Sequence, residues 1–480
     1  MKKIICCITM SVCILGNALY AQEAQSADEN SVQNTEAPSA AESPAQNAEA
    51  PAAAENTVEA QRLATINYGT ETEIAALIQT LKNENSDYLD NELIALVENT
   101  RNQKILSGIF TFFGDRGKSG LEDRAERAIY ERDLETGETV LSAVDYLGKV
   151  KAKQAEPVLR ELLDSQERRF MNAAFRALGR VGGAGENAGD EACQYLVDYY
   201  SNRDPGDENR RDIILAIGET RSSNGVAFLS EIVNDSEQRI PLRMAAVESL
   251  AKIGNPEGLD AILNVVSTGD PNVRSTAVAA LGPFSGENVD QAILEAFRDS
   301  YYRTRIAAAE ASRQRRLEAA VPYLKFRSER DDVPQVRDES IRALGAIGTE
   351  EALEVINTLF TDRKNSDRVR LVSAEALMNN EPGKYLAQLV IELDEAKIKN
   401  QNALYNGFLK IVGESRTENI ESITRRLITS TGIIEKSYAL DMAANNKLLG
   451  LSEEIKALSG DRNESIARKA KRTMDALGIQ

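Results

Sequence analysis

Residues 273–286 read VRSTAVAALGPFSG, and related stretches read VRDESIRALGAIG at 336–348, LRMAAVESLAKIG at 242–254 and FMNAAFRALGRVG at 170–182. Each stretch has a leucine–glycine pair, or an equivalent pair, at one fixed place. Aligning the chain on that place gives eleven anchor positions, and all but one of the gaps between them are 31 to 34 residues long. The anchors are Leu147, Leu178, Ile217, Leu250, Leu281, Ser312, Leu344, Leu377, Leu409, Ala443 and Leu477. A period this regular indicates an array of repeats rather than a set of unrelated domains.

Each repeat has the pattern of two helices. In the repeat that begins at Asp270, the aspartate is a favourable N-cap and Pro271 occupies the first helical position. Apolar residues follow at helical spacing over 273–281, a glycine–proline pair ends that helix, and a second helical pattern occupies 289–297. Neither helix can bury its apolar stripe alone, so the pairs must stack on one another. We therefore predict an all-α fold, an α–α superhelix of about ten to twelve helix pairs.

A basic residue stands seven positions before most anchors, and an acidic residue precedes many of these bases. The bases are Arg210, Arg243, Arg274, Arg305, Arg337, Arg370 and Lys436. The acids are Asp235, Asp270, Asp299, Asp332 and Asp367. Such columns fit two interpretations: a ladder that binds a ligand, or a structural ladder in which charge-assisted hydrogen bonds tie each turn to its neighbour. Because the bases recur so regularly, we expect the structural ladder, with Asp270 and Asp332 among its acids.

The repeated VRxxAxxALGxIG unit, with its aspartate and arginine columns, resembles the short HEAT-like repeats named after phycobilin lyases. The resemblance covers about residue 120 to the end of the chain and implies a HEAT/armadillo-like solenoid. It also implies adaptor and scaffold surfaces. Residues 59–120 match the repeat poorly but are helical by pattern, so we expect a divergent N-terminal cap there and the solenoid itself over 121–480.

The first residues have the pattern of a secretory signal peptide. Two lysines precede a stretch of twelve apolar residues, 4–15, and small residues surround a cleavage point after Ala21. We expect residues 1–21 to be removed on export, with the periplasm as the destination and secretion as an alternative. Two further alternatives keep the protein attached to the envelope: an uncleaved leader, or lipidation at Cys13, although the residue before that cysteine is not the usual small one.

The region after the leader is acidic and has few apolar residues. Residues 22–58 contain seven acids and no Lys or Arg, so we expect a disordered Ala/Pro/Gln-rich linker. The leader contributes +2 and the linker −7 to the total charge of −18, which leaves −13 for residues 59–480. An acidic body argues against general binding of nucleic acid or anionic lipid, both of which require a basic face. Beyond the leader, no segment approaches the ~20 apolar residues of a membrane span.

The chain contains no histidine. A Ser-His-Asp or Cys-His nucleophile is therefore impossible, and the usual zinc sites cannot be built. The same absence excludes HEAT-like enzymes that hold iron through His–Glu pairs, such as deoxyhypusine hydroxylase. After cleavage at residue 21 only Cys193 remains of the four cysteines, so an internal disulfide cannot form. We expect no catalytic residues, no metal and no cofactor.

The repeat around Ser312 departs from the pattern, because an arginine replaces the glycine after its anchor. Over 298–330, nine bases accompany four acids, which gives a local charge of +5. Arg and Tyr are enriched at the hot spots of protein interfaces. Five residues are therefore candidates for binding a protein partner of acidic character: Tyr301, Tyr302, Arg313, Arg315 and Arg316. The alternative is that this repeat only balances the charge of neighbouring acids.

These observations favour an exported, non-catalytic scaffold or adaptor that binds a protein partner in the periplasm or cell envelope. No small-molecule substrate is evident. One alternative is a lyase-type or enzyme-accessory subunit, which the leader and the lack of histidine disfavour. The other is a purely structural envelope protein without a discrete ligand.

Overall fold

The computed structural model describes residues 52–84, 86–184, 189–203 and 205–479. Within these ranges there are 26 α-helices and no strand. None of the described helices is both long and apolar enough to span a membrane. The predicted leader and the linker up to residue 51 lie outside the described residues. The last residues assigned to the linker are helical instead, since a run of alanines, which favour helix, starts the first helix at Ala52.

The helices follow one another along the chain with short connections. They are α1 (Ala52–Tyr68), α2 (Glu71–Glu84), α3 (Asp90–Asn99), α4 (Gln103–Arg116), α5 (Glu122–Tyr130), α6 (Gly137–Val150), α7 (Glu156–Asp164), α8 (Arg168–Gly182), α9 (Asp190–Asn202), α10 (Gly206–Thr220), α11 (Val226–Asn234), α12 (Ile240–Ile253), α13 (Leu259–Thr268), α14 (Pro271–Ala280), α15 (Glu287–Ala296), α16 (Tyr302–Arg315), α17 (Val321–Arg330), α18 (Pro334–Ile347), α19 (Glu350–Thr361), α20 (Asp367–Asn380), α21 (Pro382–Ile398), α22 (Asn402–Glu414), α23 (Glu421–Ile428), α24 (Ile433–Asn445), α25 (Ser452–Leu458) and α26 (Glu464–Leu477). Backbone contacts divide the chain after Val58, and the repeat array belongs to the second unit, residues 59–480.

The array has two layers of helices. From α4 to α26, each even-numbered helix packs against the next even-numbered helix. Each odd-numbered helix from α5 onward packs chiefly on the even-numbered helix that follows it. The eleven anchors all belong to the even-numbered layer, with Leu281 directly after α14. Helices α5 to α26 form eleven pairs, which confirms the predicted all-α solenoid of about ten to twelve pairs.

The pairing within a repeat differs from the sequence-based grouping. The pattern joined the helix at 273–281 to the one after it, but α14 packs far more extensively against α13. The connections explain the difference. Only Gly269 and Asp270 separate α13 from α14, whereas six residues separate α14 from α15. A short connection holds two helices side by side in antiparallel contact.

Small residues allow the even-numbered helices to touch at the backbone. Gly179, which follows the anchor of α8, lies so close to α10 that a Cβ there would stand 2.5 Å from the carbonyl oxygen of Ala216. A Cβ on Gly218 of α10 would stand 2.7 Å from the Cα of Ser249 on α12. The glycine of the leucine–glycine pair is thus required by close helix approach at these two places.

Residues 59–120, where the repeat pattern is weakest, also contribute helices to the array. α4 packs against α6 in the same manner as the later even-numbered helices do, and its Phe110 and Phe113 are buried. The backbone N–H of Leu121 donates to the hydroxyl of Tyr146 at 3.0 Å, which ties the start of α5 to α6. The even-numbered layer therefore continues on the N-terminal side of residue 121, where the solenoid was expected to begin.

Candidate partner-binding site

The arginines of the basic column lie at the joints between successive repeats. The guanidinium of Arg274 donates to both carboxylate oxygens of Asp299, at 2.8 and 3.0 Å, and to the carbonyl of Gly269 at 2.8 Å. Arg305 does the same with Asp331, at 2.7 and 2.8 Å, and with the carbonyl of Asp299 at 3.0 Å. Each arginine thus joins the turn before its own helix to the corresponding turn of the next repeat.

The remaining arginines of the column make a similar backbone contact where their hydrogen bonds are described, whereas Lys436 pairs with the side chain of Asp461 at 2.6 Å. Arg243 donates to the carbonyl of Val233 at 3.0 Å, and Arg337 donates to the carbonyl of Asp331. Arg370 donates to the carbonyl of Phe360 at 3.1 Å and to Glu392 at 2.7 Å. Arg210 lies over the ring of Tyr200, 5.7 Å from its centroid. These arginines hold turns in place, and most of their donors face into the protein.

Neither of the two aspartates assigned to the ladder is the main carboxylate at a joint. Asp270 caps α14 by accepting the backbone N–H of Asn272 at 2.8 Å, and the carboxylate that receives Arg274 is Asp299. Asp332 is largely exposed and accepts one hydrogen bond from Arg305 at 3.2 Å. The buried acceptor is its neighbour Asp331. The sequence alone could not distinguish these acids, because the direction of a side chain in a turn depends on the backbone of that turn.

Burial and hydrogen bonding act in opposite directions on the ladder carboxylates. Burial raises the pKa of Asp331, but the hydrogen bonds from Arg305 and from the backbone N–H of Val333 outweigh it and hold that pKa below its usual range. The pKa of Asp299 is likewise lowered, since Arg274 and the N–H of Tyr301 offset the effect of burial. Both carboxylates are therefore ionised at neutral pH.

The structure does not bring the five candidate binding residues together. Tyr301 and Tyr302 lie at the start of α16, whereas Arg313, Arg315 and Arg316 lie at its end. A helix of 14 residues places its two ends about 20 Å apart. The two tyrosines and the three arginines therefore lie on separate surfaces, and the five candidates do not form one patch.

The three arginines at the end of α16 are not a free basic turn. Arg313 pairs with Glu339 at 2.8 Å, and Arg315 pairs with Asp290 while its side chain is only 13% exposed. Arg316 is exposed and has a positive φ of 49°, in the position that ends the helix. Two of the three arginines thus serve ion pairs within the chain, which agrees with the charge-balance alternative for this turn.

The two tyrosines also have partners within the chain. Tyr301 donates its hydroxyl to the side chain of Asn272 at 3.0 Å, and its backbone N–H donates to Asp299 at 2.7 Å. Its ring meets that of Tyr302 edge to face, with centroids 5.5 Å apart. Tyr301 therefore joins the start of α16 to α14 through Asn272.

An apolar groove of 690 Å³ lies between α13 and α15. Leu263 and Val266 of α13 form one wall, and Ala292 and Ala296 of α15 form the other. The small alanine side chains leave the space that larger residues would fill. The unit is unusual in its connection, since α14 ends after ten residues at a glycine–proline pair and a six-residue segment leads to α15.

A second pocket, of 320 Å³, lies on the other side of α15, against α17. Its lining consists of aromatic, proline and arginine side chains, namely Phe297, Arg298, Pro322, Tyr323, Phe326 and Arg327. Arg298 lines both spaces. We call the two together the α13–α17 groove. Phe326 is 50% exposed, so its ring extends the apolar surface of the groove.

Arginines surround the aromatic part of this groove. Arg298 lies over the ring of Tyr323 at 5.4 Å, and Arg327 and Arg330 lie near Phe326 at 5.4 and 5.8 Å. Arg327 is held inside by the carbonyl of Phe297 and by Asp331, which it meets at 3.3 Å. Arg298 and Arg330 are exposed. The groove thus has apolar surface and one accessible cation in its lining, Arg298, while Arg330 lies beside it against Phe326. Two carboxylates, Glu295 and Asp299, also line it.

The sequence pointed to part of this site. Arg298, Arg327 and Arg330 belong to the +5 stretch, but none of the five named candidates lines either pocket. The spacing of Tyr323, Phe326 and Arg327, at i, i+3 and i+4, was a usable signal, because it places an aromatic and basic face on one side of α17. The α13 wall could not be found in this way, since its residues also fit an ordinary helix core.

Other reactive groups in the described part of the chain offer little chemistry. Burial raises the pKa of the Cys193 thiol, which lies between α9 and its neighbours and is inaccessible. The described ranges contain no group of three or more Cys, Asp or Glu side chains arranged to hold a metal ion.

The chain is similar to two kinds of known protein. Deoxyhypusine hydroxylase of Candida albicans is 24% identical over 279 residues, which cover 56% of this chain and 85% of that enzyme. The enzyme of the same name from Kluyveromyces lactis is 27% identical over 139 residues, 27% of this chain and 41% of that enzyme. The crystal structure of Kap121p superposes with a TM-score of 0.44 at 12% identity, covering 88% of this chain and 54% of Kap121p. The chain thus spans about half the length of Kap121p and less than half of the Kluyveromyces enzyme.

A family model described as "Spirochaete HEAT repeat protein" matches residues 66–473. This confirms the predicted HEAT-repeat architecture, whereas the narrower likeness to phycobilin lyase repeats stays a prediction. The match begins within the region expected to be a divergent cap. Since it spans 408 of the 480 residues, the chain belongs to the family of spirochaete HEAT repeat proteins.

Proposed function

We propose that this protein is an exported scaffold, without catalytic activity of its own, that binds a protein partner in the periplasm or cell envelope. The observation that carries the proposal is the α13–α17 groove, where an exposed Phe326 and two accessible arginines border an apolar space. Aromatic and arginine side chains around a desolvated pocket are typical of the hot spots of protein interfaces. A stack of helix pairs displays such a groove on a long, stable support.

The charge of the molecule supports a protein partner over nucleic acid. The net charge of residues 59–480 is −13, whereas a surface that binds nucleic acid must neutralise many phosphates. The groove is lined by three arginines and two carboxylates, Glu295 and Asp299, and most of its exposed lining surface is apolar. Its chemistry therefore suits a polypeptide segment.

The likeness to deoxyhypusine hydroxylase does not lead us to propose an enzyme. Enzymes of this repeat type that hold iron through His–Glu pairs need histidine ligands, and the chain has none. Carboxylates alone do not reproduce that ligand set, so we do not extend the iron chemistry of those enzymes to this chain. A role as an accessory subunit of another enzyme would also use a partner-binding surface, and it falls within the same proposal.

Export is supported by the residues at the start of the chain. The basic start, the apolar stretch of twelve residues and the small residues around Ala21 predict cleavage there. Lipidation at Cys13 would instead leave the protein on a membrane surface. Intact-mass measurement of the protein from its own envelope fraction distinguishes the cases, because cleavage after Ala21 gives a chain that begins at Gln22.

Partner binding is tested by cross-linking the chain from residue 22 to an envelope extract and identifying the captured proteins. We expect one partner at a defined stoichiometry with the wild-type chain and its loss from the double variant Phe326→Ala, Arg330→Glu. The matched control is Ile391→Ala, Lys325→Glu, which alters an equally exposed apolar residue and a base on the opposite side of α17. Absence of any specific partner would instead favour the purely structural alternative.

A further inference from the structure

We infer that the α13–α17 groove binds an acidic segment of its partner, with bulky apolar side chains of that segment inserted along α15. The inference rests on the proposed function, because it names the chemistry of the partner at the same site. It commits to a polypeptide with both carboxylates and large apolar residues. A segment with carboxylates alone, or with large apolar residues alone, would contact only part of the groove.

The size and lining of the groove require apolar side chains in the partner. Its two parts measure 690 and 320 Å³, which lies within the range of pockets that accept ligands or side chains. The wall of Leu263, Val266 and Ala292 offers no strong hydrogen-bonding side chain. Inserting an apolar residue there removes apolar surface from water on both sides, at roughly 25 cal/mol per Å². The exposed ring of Phe326 extends this apolar surface beyond α15.

The charges of the groove favour an acidic segment, because its two lining acids, Glu295 and Asp299, are each paired with an arginine and further cations remain. Arg274 and Arg327 are engaged by Asp299 and Asp331, so they shape the site without being available to a ligand. Arg330 is exposed and contacts only the ring of Phe326 among the interactions described for it. Its charge therefore has no carboxylate to balance it in the described part of the chain. A partner carboxylate placed there would form a charge-assisted hydrogen bond.

Arg298 can exchange its ion-pair partner within the chain for a carboxylate of the bound segment. It lies where the two parts of the groove meet, and it forms an i,i+3 ion pair with Glu295 at 2.7 Å. Both side chains are more than half exposed, at 61% and 51%. An exposed pair of this kind contributes little to stability, so a partner carboxylate can replace Glu295 at small cost. Arg298 would then be covered by the bound segment while its guanidinium remains on the ring of Tyr323.

The side of α17 on which each base lies provides an internal control. Residues 322, 323, 326 and 327 line the groove, and residue 330 lies on the same face of α17, next to Phe326, by the helical period of 3.6. Lys325 lies on the other side of the same helix and lines neither pocket. Lys325 and Arg330 are both exposed bases five residues apart. Reversing the charge of each therefore separates a groove effect from a general change in net charge.

The test selects ligands from a library of random twelve-residue peptides displayed on phage, using the immobilised chain from residue 22. We expect the selected peptides to be rich in Asp and Glu together with Phe, Leu, Trp or Tyr. Selected peptides labelled with fluorescein are then measured by anisotropy against four variants. Two variants alter the groove: the single variant Ala292→Trp, and the double variant Arg298→Glu, Arg330→Glu. Two variants are controls: Ala227→Trp on α11, and Lys325→Glu.

We expect both groove variants to weaken binding by tenfold or more, roughly the effect of losing an interface hot spot. The controls should stay within about twofold, and wild-type binding should weaken as salt concentration rises. Selection of basic or purely polar peptides, failure to select any, or equal binding by the groove variants would overturn the inference. An envelope partner captured equally by wild-type and groove variants would leave the scaffold proposal standing and refute this site. Peptide binding at the groove without any envelope partner would support this site and contradict the scaffold proposal.

Discussion

The guanidinium of Arg305 donates two hydrogen bonds to the carboxylate of Asp331, from Nε to Oδ2 at 2.7 Å and from Nη2 to Oδ1 at 2.8 Å. The side chain of Asp331 is completely buried, and that of Arg305 is 7% exposed. The pair ties α16 to the turn that starts α18. Both groups have left water, so their charges are satisfied within the protein, by this pair and by further bonds of Asp331 with Arg327 and the N–H of Val333.

Replacing Arg305 with Ala should lower the free energy of unfolding by about 1 to 3 kcal/mol, the usual effect of removing one partner of a buried hydrogen bond. The loss is limited because Arg327 and the N–H of Val333 still contact Asp331. Arg303→Ala, two residues earlier on the exposed side of α16, should change it by no more than about 0.5 kcal/mol. Urea denaturation followed by circular dichroism at 222 nm measures both. Equal stability of the two variants would mean that the Arg305–Asp331 pair does not hold the joint.

Acid should weaken the ion pairs that Asp299 and Asp331 form between successive repeats. The pKa values of Asp299 and Asp331 are lower in the folded chain than in the unfolded chain, so their contribution is complete above about pH 4 and is lost as pH falls through the folded values. We expect the melting temperature of the wild-type chain to drop steeply on acidification below pH 4. Asp331→Asn should be less stable at pH 7 and should show a shallower drop. An identical pH profile for the variant would contradict the assignment.

Close approach of α8 and α10 gives a third prediction. Gly179→Val should destabilise the chain by about 1 to 3 kcal/mol or more, because the added side chain meets the backbone of Ala216. Gly117→Asn is the control, since that glycine ends α4 at a φ of 62° with open space around it, and asparagine tolerates this conformation. Thermal melts of both variants check the comparison. A stable Gly179→Val chain would show that the even-numbered layer can separate at low cost.

The period of the anchors predicted the helices and their stacking, because each repeat displays the same apolar spacing. Local pattern could not predict which helices pair, since α13 and α15 both offer apolar stripes to α14. The short connection at Gly269 makes α13 the partner of α14. Local pattern also could not separate Asp331 from Asp332, whose side chains point to the interior and to solvent. The groove arises from small residues such as Ala292 facing another helix. A sequence shows that such a residue is small but not what lies opposite it.

Cys193 provides a probe of local opening around α9. Its thiol is fully buried and burial raises its pKa, so both access and thiolate formation are suppressed. We expect iodoacetamide at pH 8 to label the folded chain far more slowly than the chain unfolded in guanidinium. Mass spectrometry of timed samples gives the two rates. Rapid labelling of the folded chain would show that α9 and α10 separate readily.

The turn at the end of α16 supplies the last prediction, because there the sequence and the structure lead to opposite expectations. A free basic turn would tolerate the change of Arg313, Arg315 and Arg316 to Glu. In the structure, Arg315→Glu places a carboxylate against Asp290 at a site that is mostly buried, and Arg313→Glu places another beside Glu339. We therefore expect the triple variant to lose about 1 to 3 kcal/mol of stability, from unpaired and repelling charges.

Arg316→Glu alone is the matched control for this turn. Arg316 is exposed and has no described ion pair, so the single change should alter stability by no more than about 0.5 kcal/mol. It should also leave partner capture intact, because Arg316 lines neither part of the α13–α17 groove. Melting curves and capture from the envelope extract are measured on the same preparations. A stable triple variant that no longer captures the partner would show that the partner binds this turn and not the α13–α17 groove.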